Sequence, residues 1–277
     1  MTRHRLGVAV RTVSLLLLVI AAGFPLYWML TTATRRPEEI FGETPHLLPN
    51  LTRLDDMFAS ITNGIPMLQW LTNSAFVAFG TTVLSLLLAV LAAYALSRFR
   101  FRGKGLFGFS LFATQMLPEA LLVVPLYTIF LTLGLLNNLW SLVLGNVAFA
   151  MPVAAWIMKT AMDAVPREIE EAAAIDGCSR YSILRLIVLP LTAPSLAAAA
   201  VITFFEGWNE FLFANTFITD QDKWPASKGL ASFVGEFVTP LNTVMSAAVV
   251  FALPPIVFFL LVQRRIVSGL TSGAVKG

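Results

Sequence analysis

The sequence predicts an all-helical integral membrane protein with six spans. Two observations carry this. The 277 residues are 57% apolar and 13% charged, against about 45–50% and 25% in soluble domains. The apolar residues also fall in blocks long enough to cross a bilayer as helices, which takes about 20 residues each, and helical spans satisfy their own backbone groups in lipid. The single cysteine, Cys178, excludes an internal disulfide and a cysteine-based zinc cluster. No stretch is long and polar enough for a separate soluble domain.

The spans are read in order. Arg3, His4, Arg5 and Arg11 precede a nearly uncharged run over 13–33, too long for the apolar core of a cleaved signal segment. Residues 34–68 are polar and interrupted by Pro37, Pro45, Pro49 and Pro66, so no long helix is expected there. The second span covers 70–97, followed by a short basic turn from Arg98 to Lys104. The third covers 105–132 with Pro118 and Pro125 inside it. Gly134, Asn137 and Asn138 mark a turn before the fourth span, 139–158. A polar element fills 159–190. The fifth span covers 191–213, an outer loop 214–243, and the sixth span 244–262. A tail runs over 263–277.

Basic residues beside the spans set the orientation. With the N-terminus inside, the inner segments hold fourteen Lys and Arg and the outer segments five. Both termini and the 159–190 element are therefore expected in the cytoplasm.

That element reads as two short helices. Pro166 suits a helix start, Glu168, Glu170 and Glu171 favour the positive end of its dipole, and Gly177 suits the position past its end. Ile169, Ala172, Ala173 and Asp176 share a face by spacing, so two adjacent alanines should make a flat surface that fits deep in a partner's cleft. Ser179 can cap a second helix, which Pro190 and Pro194 end or kink. A solvated loop or a helix lying on lipid headgroups fits the same residues.

The run Glu171-Ala172-Ala173, Gly177 and Ile187-Val188-Leu189-Pro190 resembles the EAA loop of binding-protein-dependent ABC importer permeases, E-A-A-x3-G-x9-I-x-L-P, at every fixed position. The stretch Gln263–Gly277 and the run Trp208-Asn209-Glu210-Phe211 resemble carbohydrate permeases, the maltose permease (MalG) family. The resemblance implies the type I ABC importer permease fold in a bacterial cell membrane. It implies two ATPase subunits, a second and non-identical permease subunit, and an extracytoplasmic solute-binding protein delivering a sugar, a di- or oligosaccharide. Glu171, Ala172, Ala173, Asp176, Gly177, Leu189 and Pro190 would belong to the ATPase-coupling loop. Gln263, Arg264, Gly269, Thr271 and Lys276 would belong to a tail between the ATPase protomers. Lys223, Trp224, Lys228 and Phe233 would face the binding protein. No phosphate-binding G-x-x-x-x-G-K-[ST] run occurs, so this chain is expected to hold no cofactor; ATP and magnesium belong to the partner ATPase. Neither an enzymatic activity nor a nucleic-acid partner is expected.

Two carboxylates, Glu119 and Glu206, fall inside expected spans. Intramembrane charge is a functional-site hypothesis by default. Counting from the inner end of each span puts both roughly 21 Å deep, at 1.5 Å per residue. With Trp208, Asn209 and Glu210 they would line a path for a hydroxyl-rich solute, through hydrogen bonds and indole stacking. A rival reading makes Glu119 or Glu206 the proton site of a secondary transporter. A membrane enzyme is disfavoured, because no His–Asp–Ser set is apparent and His4 and His46 are expected on opposite sides.

Overall fold

The computed structural model describes residues 2–42, 47–235 and 239–274, and every regular element among them is helical. Five stretches are long and apolar enough to cross a membrane. They are Val10–Ala33 of α1 (Thr2–Ala33), α4 (Met67–Arg98), α7 (Leu139–Asp163), the Ala193–Phe217 stretch and Leu241–Ile266 of α14 (Leu241–Ala274). Between α1 and α4 in the chain lie α2 (Pro37–Ile40) and α3 (Leu54–Thr62).

The third span is where the expectation needs correcting. In place of one helix over 105–132 there are two, α5 (Lys104–Thr114) and α6 (Glu119–Thr132), bent by 102°. Pro118 sits at the start of α6 in an extended conformation. Its ring clashes with a preceding helical turn, and it biases the residue before it away from helix. Gln115 pins the break by donating its side-chain amide to the Phe149 carbonyl of α7 at 2.9 Å. Counting depth along one axis therefore fails at Glu119.

Two further segments are more ordered than loops. The Ala193–Phe217 stretch consists of α11 (Ala193–Asn209) and α12 (Leu212–Phe217), and α13 (Ala226–Gly235) follows within the expected outer loop. The last helix does not end near 262 but continues to Ala274, through the expected tail.

The chain divides into two compact units, Met1–Leu68 with Leu230–Leu253, and Gln69–Gly229 with Pro254–Gly277. In the first, Ser246 Oγ donates to the Ala33 carbonyl at 3.4 Å and joins α14 to the end of α1. Glu39 is held below the usual carboxylate range by the Arg36 amide and by Arg53, whose Nη1 lies 3.1 Å away.

The second unit packs α4, α7 and α11 through small residues: Ala89, Ala154, Ala155 and Ala199 are all buried in one cluster. In lipid, where apolar burial supplies no drive between helices, small side chains allow close backbone approach. Gly207 shows how close: a Cβ there would lie 2.9 Å from the Ala78 Cα of α4. Gly207→Val is expected to destabilise the unit by about 1–3 kcal/mol through overpacking. A lower thermal midpoint in detergent is the expected readout, and an unchanged one would show that the crossing yields freely.

Candidate functional site

The polar element forms a helical hairpin. α8 (Arg167–Ile175) starts after Pro166, which takes the cap position, one residue earlier than expected. Its end is a Schellman turn: the Cys178 amide donates to Ala173 O at 3.0 Å and the Gly177 amide to Ala174 O at 3.1 Å. Gly177 has φ +87°, a conformation open to glycine and disfavoured for residues with a Cβ. Ser179 accepts from the Ser182 amide at 3.2 Å and caps α9 (Arg180–Ile183). The chain then widens into a π-type turn over Leu184–Val188, followed by α10 (Leu189–Leu191). The widening precedes Pro190, whose ring would otherwise meet the carbonyl four residues back.

The hairpin's two faces differ sharply. Glu171, Ala172, Ala174, Asp176 and Gly177 are exposed. So are two large side chains that sequence reasoning did not single out for docking, Ile175 at 87% and Tyr181 at 68%. Ala173 corrects the expected alanine pair. It is 8% exposed and packs with Tyr94, Met158, Met162 and Ile183 in the chain's own core. The outward small residues are Ala172 and Ala174. Leu189 packs against that same core and Pro190 is exposed.

The buried face is held by charge. Glu170 and Arg98 pair at 2.5 Å with side chains 7% and 5% exposed. Arg98 was legible only as a topological charge, because its partner lies 72 positions away.

Within the second unit a cavity of about 750 Å³ lies among α6, α11, α12 and the later part of α14. Its polar lining is Glu119, Glu206, Asn209 and Glu210, and its walls include Phe205, Phe211 and Phe259. Glu119 and Glu206 thus face one cavity although they are 87 positions apart in the chain. The break at Pro118 makes this possible by placing Glu119 at the start of α6. Glu210 also serves the backbone, since its carboxylate accepts from the amides of Phe213 and Ala214 and so caps α12. Trp208 is corrected outright. It is fully buried, stacked on Phe204 with centroids 5.8 Å apart, and does not line the cavity. One residue along a helix turns the side chain by about 100°, which separates Trp208 from Asn209.

The expected binding-protein contacts divide in the same way. Lys223 is accessible and sits 3.2 Å from Asp220, which the Asn137 amide and Lys223 hold below the usual carboxylate range. Trp224, Lys228 and Phe233 are buried, so their side chains form no outer surface. Lys228 donates to the Ile218 carbonyl at 2.6 Å and lies over the Trp224 ring. Asn73 of α4 donates to the carbonyls of Asp222 and Trp224 at 2.8 and 2.9 Å, tying this segment down.

In the continued α14, Arg264 is exposed and Gln263 half-buried. Gly269 and Thr271 lie in that helix where no side chains are described, and Lys276 lies outside the described residues.

Residues 82–272 match the family described as binding-protein-dependent transport system inner membrane component. The chain is 34% identical over 265 residues to the probable ABC transporter permease protein YurM of Bacillus subtilis, covering 96% of this chain and 87% of YurM. It is 34% identical over 271 residues to the trehalose/maltose transport system permease protein MalG of Thermococcus litoralis, covering 95% and 94%. A bacterial ABC transporter involved in alginate import shares the fold, with a TM-score of 0.76 at 23% identity over 95% of this chain and 98% of that one. On this sequence and fold similarity, the chain belongs to the family of inner-membrane components of binding-protein-dependent transport systems.

Proposed function

We propose that this chain is one permease subunit of an ATP-driven importer in a bacterial cell membrane, passing a sugar received from a solute-binding protein. A di- or oligosaccharide is favoured by the likeness to a trehalose/maltose permease and by a cavity that offers carboxylates, an amide and aromatic walls. The observation that carries the ATP-driven reading is the bare tip of the hairpin. A polar segment outside the spans that exposes Ile175 and Tyr181 beside Ala172 and Ala174 is built to be covered by a partner.

In this reading the hairpin and both termini lie in the cytoplasm. Two ATPase subunits, which hold ATP and magnesium, grip the outward face of α8: Glu171, Ala172, Asp176 and Gly177, with Ile175 as the apolar anchor. Closure of the ATPase pair moves the hairpin, and the spans rock to present the cavity to the binding protein on the far side, where Lys223 is the accessible contact. A second, non-identical permease subunit completes the path, and the helical tail from Gln263 and Arg264 reaches the ATPases.

Ile175→Glu tests the docking face. Losing a buried apolar anchor at an interface is expected to weaken ATPase retention by about thirtyfold, the effect of roughly 2 kcal/mol. Co-purification of the ATPase with the membrane subunits is the readout. Undiminished retention would remove the observation on which the ATP-driven reading stands.

A further inference from the structure

The outward face of α8 meets the proposed ATPase; the inward face packs on α4 and α7 of this chain. Its Glu170 is held by two α4 residues one turn apart. Arg98 Nε donates to one carboxylate oxygen at 2.5 Å, and the Tyr94 hydroxyl donates to the other at 3.3 Å. Arg98 also donates to the Val165 carbonyl and to Ser97 Oγ, both at 3.0 Å. Ser97 Oγ in turn donates to Asp163 of α7 at 2.5 Å, and Arg167 Nη2 donates to the Ser97 carbonyl at 3.1 Å. The last turns of α4 and α7 and the first turn of α8 thus share one continuous polar network. Arg98 ends α4 and Glu170 lies in the first turn of α8, so each charge also meets the helix-dipole end that favours it.

We infer that Arg98, Glu170 and Tyr94 form the link through which force on α8 reaches α4 and α7. Packing of Ala173 against Tyr94 and Met162 is non-directional and permits sliding. A buried charge pair with two further donors fixes both distance and angle, and loss of one partner strands the other charge away from water. These are positioning residues: they touch neither solute nor nucleotide. The inference rests on the proposed ATPase coupling.

The test uses the whole transporter, with both permease subunits, the ATPases and the binding protein, in proteoliposomes. The readout is solute moved per ATP hydrolysed, for the unaltered transporter and for Glu170→Gln, Arg98→Met and Tyr94→Phe. A pair that only stabilises the fold would lower uptake and hydrolysis together and leave the ratio unchanged. The link predicts a ratio lowered about tenfold in Glu170→Gln and Arg98→Met, within the usual range of coupling between sites, and a smaller loss in Tyr94→Phe. Glu170→Gln keeps the shape and an acceptor oxygen, and Arg98 keeps its bonds to Ser97 and Val165, so it is the variant expected to disturb assembly least. Restoration of the ratio in the charge swap Arg98→Glu with Glu170→Arg would add support. Unchanged ratios in variants of a transporter that itself couples would overturn the link alone. Absence of ATP-dependent uptake in the unaltered transporter would overturn the coupling reading and the link with it.

Discussion

Gly177→Asp is expected to abolish uptake while leaving membrane insertion intact. The residue has φ +87°, which costs a residue with a Cβ roughly 1–2 kcal/mol, and Asp is among the side chains that tolerate it. Among the described residues, a Cβ at Gly177 would meet no atom within 4 Å beyond its chain neighbours. The variant therefore has no internal clash to unfold it. What it adds is a carboxylate on the outward side of the turn, beside Asp176, where a partner is proposed to close over the hairpin. An uncompensated charge buried at such a contact is expected to lower uptake by at least about thirtyfold, the scale of an interface hot spot. Gly177→Ala separates the causes, since it carries backbone strain without the charge. The proposed docking predicts a mild Ala variant and a silent Asp variant. Equal losses in the two would place the effect in the turn itself, and normal uptake by the Asp variant would contradict docking there.

Glu206→Leu is expected to produce the second large effect. Glu206 lines the cavity together with Glu119, and the capping bonds to α12 come from Glu210. Leucine is shape-compatible with a helix in lipid, so assembly should survive. A hydrogen bond to a charged group contributes about 1.5–3 kcal/mol, so uptake at limiting solute should fall by roughly tenfold or more. Solute supplied on its binding protein, with initial rates measured over a concentration series, checks this. Glu210→Leu should behave differently: it removes the acceptor for the Phe213 and Ala214 amides, so it should reduce the amount of assembled subunit as well as its rate. If Glu206→Leu transports like the unaltered chain, the solute passes elsewhere.

The hairpin was legible because its signals are local. Pro166, Gly177 and Ser179 each specify a backbone conformation within a few residues, and each does so here. Which face of α8 turns inward is not a local property. Spacing grouped Ile169, Ala172, Ala173 and Asp176, but the phase is set by Glu170 meeting Arg98 and Tyr94 from a helix more than 70 positions earlier. Glu119 and Glu206, which the fold brings to one cavity, stood out because charge in an apolar run is visible wherever the helix points. Trp208 failed for the complementary reason: an indole suits a sugar face and a buried aromatic stack equally well, and only Phe204 decides between them. Pro118 was visible inside the expected third span, but hydropathy carries no angle, so neither the break nor its 102° bend could be read. The segment around Lys223 to Lys228 has loop composition, yet Asn73 and Trp70 hold its backbone from α4 through bonds that no periodicity reports.

The central claim is that this chain moves solute only when a separate ATPase pulls on its hairpin. The direct measurement is uptake by proteoliposomes holding the purified membrane subunits, with and without the ATPase subunits, under ATP or under an imposed proton gradient, with solute-loaded binding protein present. Uptake should require both the ATPase and ATP and should ignore the gradient. Gradient-driven uptake by the membrane subunits alone would contradict the claim and would make Glu119 or Glu206 a proton site.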